Sequence, residues 1–230
     1  VSAPNHATIT VRRPLRAFAR VLIVAAAIVT GVGSLVAAQR PPAGAAATES
    51  FDELYARGQK INNGIKTLTA HFTETTSSAL LTRPLVARGT LAVERPTRVV
   101  LHYEEPDARV VLVDGNKMTT TWPQRQVIDI GAAQGRVQKY FVNGTAAELR
   151  QQFDINDREP NDRPGTYHVS MVPKRKQIRE ALTRLDLWVK TESSLLEAMK
   201  MTFANGDTKL MTFEDVVANA TLPPNVFVIK

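Results

Sequence analysis

The stretch from Gly89 to Gln126, GTLAVERPTRVVLHYEEPDARVVLVDGNKMTTTWPQRQ, decides the fold. In Leu91-Ala92-Val93-Glu94 apolar side chains alternate with small or charged ones, the period-2 pattern of a strand with one buried face. Pro96 stops that run, because it has no N–H to give to a ladder. Val99, Leu101 and Tyr103 then alternate with Val100 and His102, and Pro106-Asp107 turns the chain. Val110 to Val113 is a continuous aliphatic run closed by the turn pair Asp114-Gly115, and Met118 to Trp122 follows, up to Pro123. Short strands joined by tight turns make an antiparallel meander.

Upstream of the meander, the spacing predicts a helix from Phe51 to Leu68. Ser50 is its N-cap, Asp52 and Glu53 lie in its first turn, and Leu54, Ile61, Ile65 and Leu68 share one face. Asn63-Gly64 is expected to bend it. Thr69–Ser77 and Leu80–Arg88 read as two strands. Downstream, Val127–Ile130 finishes a strand, and Gly131–Phe153 loses the alternation and holds a helix near Ala146–Gln152. NDREPNDRPG (Asn156–Gly165) is a loop. Alternation returns at Tyr167–Met171 and Leu185–Val189, with the charged PKRKQIRE as a hairpin connection between them. Leu196–Phe203 and Thr208–Asp215 flank Asn205-Gly206-Asp207, a strong hairpin signal, and Leu222–Lys230 is an extended tail. About ten strands and two or three helices with no βαβ rhythm give an α+β fold: one strongly twisted antiparallel sheet with helices on one side.

A chain of 230 residues with 43% hydrophobic content is long enough for one globular domain. Its formal charge is +7, yet Arg12, Arg13, Arg16 and Arg20 stand before residue 39 and no acidic residue does. Removing those four from the 29 basic residues leaves 25 against 22 acidic ones, so the body calls for no nucleic-acid partner. The four arginines precede the apolar run Val21–Ala38, which ends in the small-x-small triplet Val36-Ala37-Ala38. Residues 1–38 thus read as a secretory signal peptide cleaved near Ala38, or as an uncleaved anchor, since eighteen apolar residues can just cross a bilayer. Gln39–Ser50 is a flexible linker, and 51–230 is the folded body.

Several chemistries lack a residue basis. There are no cysteines, which removes disulfides, thiolate metal sites and lipid attachment through a terminal cysteine. His71, His102 and His168 lie on separate strands without metal-ligand spacing, and no serine sits in a G-x-S-x-G setting. Glu104-Glu105-Pro106-Asp107 reads as a solvated turn. The chain is expected to be no enzyme and to need no cofactor.

The meander carries a resemblance. Gly89, Leu91, Val93, Arg95 and Pro96, then Tyr103, Pro106, Val111, Asp114, Gly115 and Pro123, stand in the order found in LolA-type outer-membrane lipoprotein carriers. Tyr167 with Pro173, the turn at Asn205-Gly206-Asp207 and the closing Leu222-Pro-Pro-Asn-Val-Phe227 extend the likeness over residues 51–230. The resemblance implies an unclosed, strongly curved antiparallel half-barrel of about ten strands, with helices capping its concave face. It implies a monomeric periplasmic carrier that binds the acyl chains of lipoproteins. The carrier would receive them from an ATP-driven inner-membrane complex and pass them to an outer-membrane acceptor. It makes Arg95 a latch for a helical lid contained in Gly131–Phe153; read alone, a strand-terminal arginine before proline is a solvated end.

A curved sheet facing helices across a gap leaves an apolar cavity, whose expected lining is Leu91, Val93, Val99, Leu101, Tyr103 and Val111, with Ile61 and Ile65 above. The alternative for each of these is ordinary core. The five methionines, Met118, Met171, Met199, Met201 and Met211, are expected on strands, where adaptable side chains suit variable acyl chains. Leu101 replaces a family aromatic and the middle segment matches poorly. Those departures favour a second reading, a carrier of free lipid or glycolipid on the same scaffold. A third reading is a lipoprotein-sensing regulatory domain.

Overall fold

The structure is a computed structural model that describes residues 50–115, 117–123, 145–157 and 159–228. The expected signal peptide, nearly all of the linker, the strand at Val127–Ile130 and most of the expected lid lie outside the described residues.

Helix α1 spans Phe51–Asn62 and α2 spans Ala146–Gln152, each started by a capping box: Ser50 with Glu53, and Thr145 with Glu148. The strands are β1 Thr67–Ser77, β2 Leu85–Glu94, β3 Arg98–Glu105, β4 Arg109–Asp114 and β5 Lys117–Thr121, then β6 Phe153–Asn156, β7 Thr166–Pro173, β8 Leu182–Lys190, β9 Leu196–Phe203 and β10 Thr208–Ala218. A single turn of helix, α3 Lys176–Arg179, joins β7 to β8. Among the described residues all strand pairings are antiparallel, in the order β5-β4-β3-β2-β1-β10-β9-β8-β7-β6. Among the described residues the first and last strands meet at the centre and β5 and β6 form the two edges, so the barrel is unclosed.

Register shifts bend the sheet around its inner face. They lie in β1 against β10, where Asp215 takes a positive φ of 50°, in β2 against β3 at Arg88–Gly89, and twice in β8 against β9. At Gly89 the strands approach so closely that a Cβ would stand 1.9 Å from the carbonyl oxygen of His102. Only glycine fits there.

Four expectations change. The first helix stops at Asn62 rather than Leu68, because Asn63-Gly64 ends it and Leu68, Ala70 and Phe72 take up the two-residue inward alternation of β1. Asn219 holds this exit: its side chain accepts from the Lys66 N–H and donates to the Gly64 carbonyl. The separate strands expected at Leu80–Arg88 and Leu91–Glu94 are one strand, β2, which runs through the bulge at Gly89. PKRKQIRE contains α3. β6 appears where no alternation announced it; at four residues it is too short to show a period.

One apolar core fills the concave side. Phe51 and Leu54 of α1 and Leu149 of α2 belong to it with the inward residues of the strands. The outer face is covered in two places. The C-terminal tail crosses β3, with the Val226 carbonyl 3.3 Å from the His102 ring and Phe227 beneath the Arg98 guanidinium. The polar loop Asp157–Gly165 lies on β7 and β8, where Asp162 accepts from the Trp188 indole and the Pro160 carbonyl meets His168.

Candidate functional site

Register alone assembles the expected lining. Ala70, Leu91, Leu101, Val111 and Thr120 face one another in a row across β1 to β5, and Leu68, Val93, Val99, Val113 and Met118 form the adjacent row. All ten are buried. A third row holds Phe72, Gly89 and Tyr103, and the Phe72 and Tyr103 rings meet edge to face at 4.9 Å over the side-chain-free glycine. Six of the eight expected lining residues (Leu91, Val93, Val99, Leu101, Tyr103 and Val111) therefore share one apolar cluster. The other two stand apart from it: Ile65 is buried in the link between α1 and β1, and Ile61 is half-buried at the end of α1.

The C-terminal half mirrors this. Met211, Met199, Leu187 and Val169 form one inward row, and Lys209, Met201, Leu185, Met171 and Ile155 the next. All five methionines of the chain are buried in the same cluster, on β5, β7, β9 and β10. Thioethers on three-bond stems repack at little cost, so this is a deformable apolar surface.

The sequence profile of the family described as "Outer membrane lipoprotein carrier protein LolA" matches residues 63–230. The chain belongs to the LolA family. The chain is 27% identical over 188 residues to an outer-membrane lipoprotein carrier protein of Pseudomonas entomophila (strain L48), covering 80% of this chain and 87% of that one. It is 25% identical over 212 residues to the protein of the same description from Pseudomonas putida (strain W619), covering 90% and 92%. Among solved structures, a LolA superfamily protein of Nitrosomonas europaea superposes with a TM-score of 0.41 at 10% identity, covering 76% of this chain and 96% of that one.

Arg95, on which the LolA-type likeness places a latch, sits in the β2–β3 turn at the opposite end of the concave face from Tyr103. It is half-buried, and burial pulls its guanidinium below the ordinary arginine pKa. Its backbone N–H donates to the Lys66 carbonyl at 2.8 Å, which ties the turn to the start of β1. Of the expected lid, α2 is the described part. It is docked by Leu149 in the core, by Arg150 on Asp52 of α1 at 2.9 Å, and by Lys174 on the Arg150 carbonyl. The α1 helix is pinned in turn: the Asp157 carboxylate accepts from the Phe51 N–H, and Arg57 donates to the Thr191 carbonyl and the Ser194 hydroxyl.

The structure adds polar residues that the sequence reading passed over. Glu74 and Lys209 are both buried on the concave face and form an ion pair at 2.8 Å. The Tyr103 hydroxyl donates to the same carboxylate at 2.7 Å, and Arg109 stacks on the Tyr103 ring at 3.7 Å. Burial, then the Glu74 charge, pushes the Tyr103 pKa well above its ordinary value. The signal was available: Glu74 follows Phe72, and Lys209 precedes Met211, at the inward parity of otherwise apolar strands. His71, His102 and His168 lie apart, and among the described residues no group of three possible ligands can hold a metal ion.

Proposed function

We propose that this protein is a periplasmic lipoprotein carrier. It shields the acyl chains of lipoproteins on the concave face of the half-barrel while moving them from the inner to the outer membrane. The observation that carries this reading is the continuous, methionine-rich apolar lining of an unclosed sheet, faced by two short helices that polar contacts hold in place. The names of the relatives agree with it.

Energetics favour such a cargo. Burying a methylene is worth about 0.8 kcal/mol, so one long acyl chain gains on the order of 10 kcal/mol gross. The lining residues supply contact rather than chemistry, and the role requires no covalent step. Cargo would come from an ATP-driven inner-membrane complex and leave to an acceptor at the outer membrane that binds it more tightly, so that transfer runs downhill. Arg95 would act as the latch: five donors in a fixed fork suit capture of several carbonyls of a moving segment.

The test is a reconstituted transfer assay with native lipoprotein and the Arg95→Leu variant. Cargo should load and then be retained on the variant at least tenfold longer than on the wild type. Normal release removes the latch role. Mass spectrometry of the protein isolated from its own periplasm tests the cargo: triacylated lipoproteins support the carrier reading, and free phospholipid or glycolipid alone moves it to lipid transport.

A further inference from the structure

The pair Glu74–Lys209 is out of place in a surface built for hydrocarbon. Lys209 heads the inward row that continues through Met201, Leu185, Met171 and Ile155, and Glu74 lies between Met211 and Ala87 on the neighbouring strands. A buried ion pair is seldom a net source of stability, because desolvation of the two ions offsets their attraction. Glu74 is well satisfied, with Lys209 on one oxygen and the Tyr103 hydroxyl on the other. Lys209 is not. An ammonium has three N–H donors, and among the described residues its partner is Glu74 alone. Two N–H donors of the buried ammonium thus have no partner among the described residues.

We propose that Lys209, fixed by Glu74 and Tyr103, hydrogen-bonds a carbonyl oxygen in the ester or amide linkage of a bound acyl chain. This rests on the reading that the concave face holds acyl cargo. The carboxylate of Glu74 neutralises Lys209, so a second carboxylate or a phosphate would lie against a like charge, whereas a neutral carbonyl accepts without adding one. Met201 lies opposite Lys209 on β9 and Met211 two residues along β10, both adaptable side chains that can repack to admit the linkage. The row from β10 to β6 then offers about 19 Å of apolar surface, at roughly 4.8 Å per strand, for an extended chain. The subsite would set the depth at which a chain is held.

The experiment uses the purified full-length chain with methyl palmitate carrying carbon-13 at its carbonyl, and with hexadecane. In isotope-edited infrared spectra the carbonyl band of the bound ester should lie below its position in hexane. In the double variant E74Q/K209M the band should return toward the hexane value. Affinity for the ester should fall about ten- to a hundredfold in that variant while affinity for hexadecane stays within twofold. A wild-type band at the hexane position, or equal losses for ester and hexadecane, overturns the subsite and leaves the carrier reading standing. The band position needs no variant to fold. Failure of the wild type to bind either ligand overturns both. Ester-labelled triacylated lipopeptide and ester-labelled phosphatidylglycerol separate the two sources of such a linkage: a shifted band with either one supports the subsite and names its source, and an unshifted band with both overturns it.

Discussion

Replacing Gly89 by alanine tests the geometry on which the concave face depends. The added Cβ would stand 1.9 Å from the His102 carbonyl oxygen, 2.8 Å from its carbon and 3.0 Å from Cζ of Phe72. An ordinary C···O approach is about 3.3 Å, so β2 and β3 must part by roughly 1.4 Å at this point. That movement weakens about two ladder hydrogen bonds at about 1 kcal/mol each and the edge-to-face pair of Phe72 and Tyr103 at about 1 kcal/mol. It also pulls the Tyr103 hydroxyl from the Glu74 carboxylate, a bond to a charged group worth about 1.5–3 kcal/mol. The total is about 4–6 kcal/mol. Urea unfolding followed by circular dichroism should show a midpoint lower by about 2–3 M at an m-value near 2 kcal/mol/M. Gly58→Ala is the matched control. Gly58 lies within α1, nothing stands within 4 Å of its would-be Cβ, and the substitution should stabilise by up to about 1 kcal/mol. A loss below about 1 kcal/mol for Gly89→Ala would refute the close approach and, with it, the explanation for the bend in β2.

Other consequences can be measured in the same way. Lys209→Met alone should cost about 3–5 kcal/mol by stranding a buried carboxylate, while E74Q/K209M should lie within about 2 kcal/mol of wild type; two mild singles in urea titrations would show that the pair is not buried as a unit. Tyr103 has a folded-state pKa raised above the ordinary value of 10.0, so the folded state holds that proton more tightly. Its contribution is complete below pH 10 and is lost as pH rises beyond it, so unfolding midpoints should fall more steeply above pH 10 in wild type than in Tyr103→Phe, and parallel curves count against the assignment. Ser50→Ala removes the capping box of α1 and should cost about 1 kcal/mol in thermal unfolding, an effect that vanishes if the helix does not start there.

The sheet was largely legible because its signals are local. Alternation at Val99, Leu101 and Tyr103 and the turn at Asn205-Gly206 set inward faces and hairpin positions within a few residues, and Ser50 and Glu53 marked the start of α1. The end of α1 was not legible. Leu54, Ile61, Ile65 and Leu68 fit a helical stripe, while Leu68, Ala70 and Phe72 fit a strand equally well, and only pairing with β2 and β10 decides between them. The candidate site shows the same division. Its apolar rows followed from parity once strand order was known, whereas Glu74 and Lys209 belong to strands at opposite ends of the chain. No local pattern announces that two charged residues so far apart will share one buried contact.

Because β1 pairs with β10, the seam of the half-barrel joins the earliest and latest of the described strands, and its rims, β5 and β6, come from mid-chain. A polypeptide emerging N-terminus first can assemble the β1–β5 meander at once, yet the inner edge of β1 stays open until residue 218 has appeared. Completion waits for the final hairpin, a long-range closure of the kind that slows folding. For a chain that crosses a membrane unfolded, this order works as a timer. In such a chain the apolar concave face is complete only once β10 has followed β1 across.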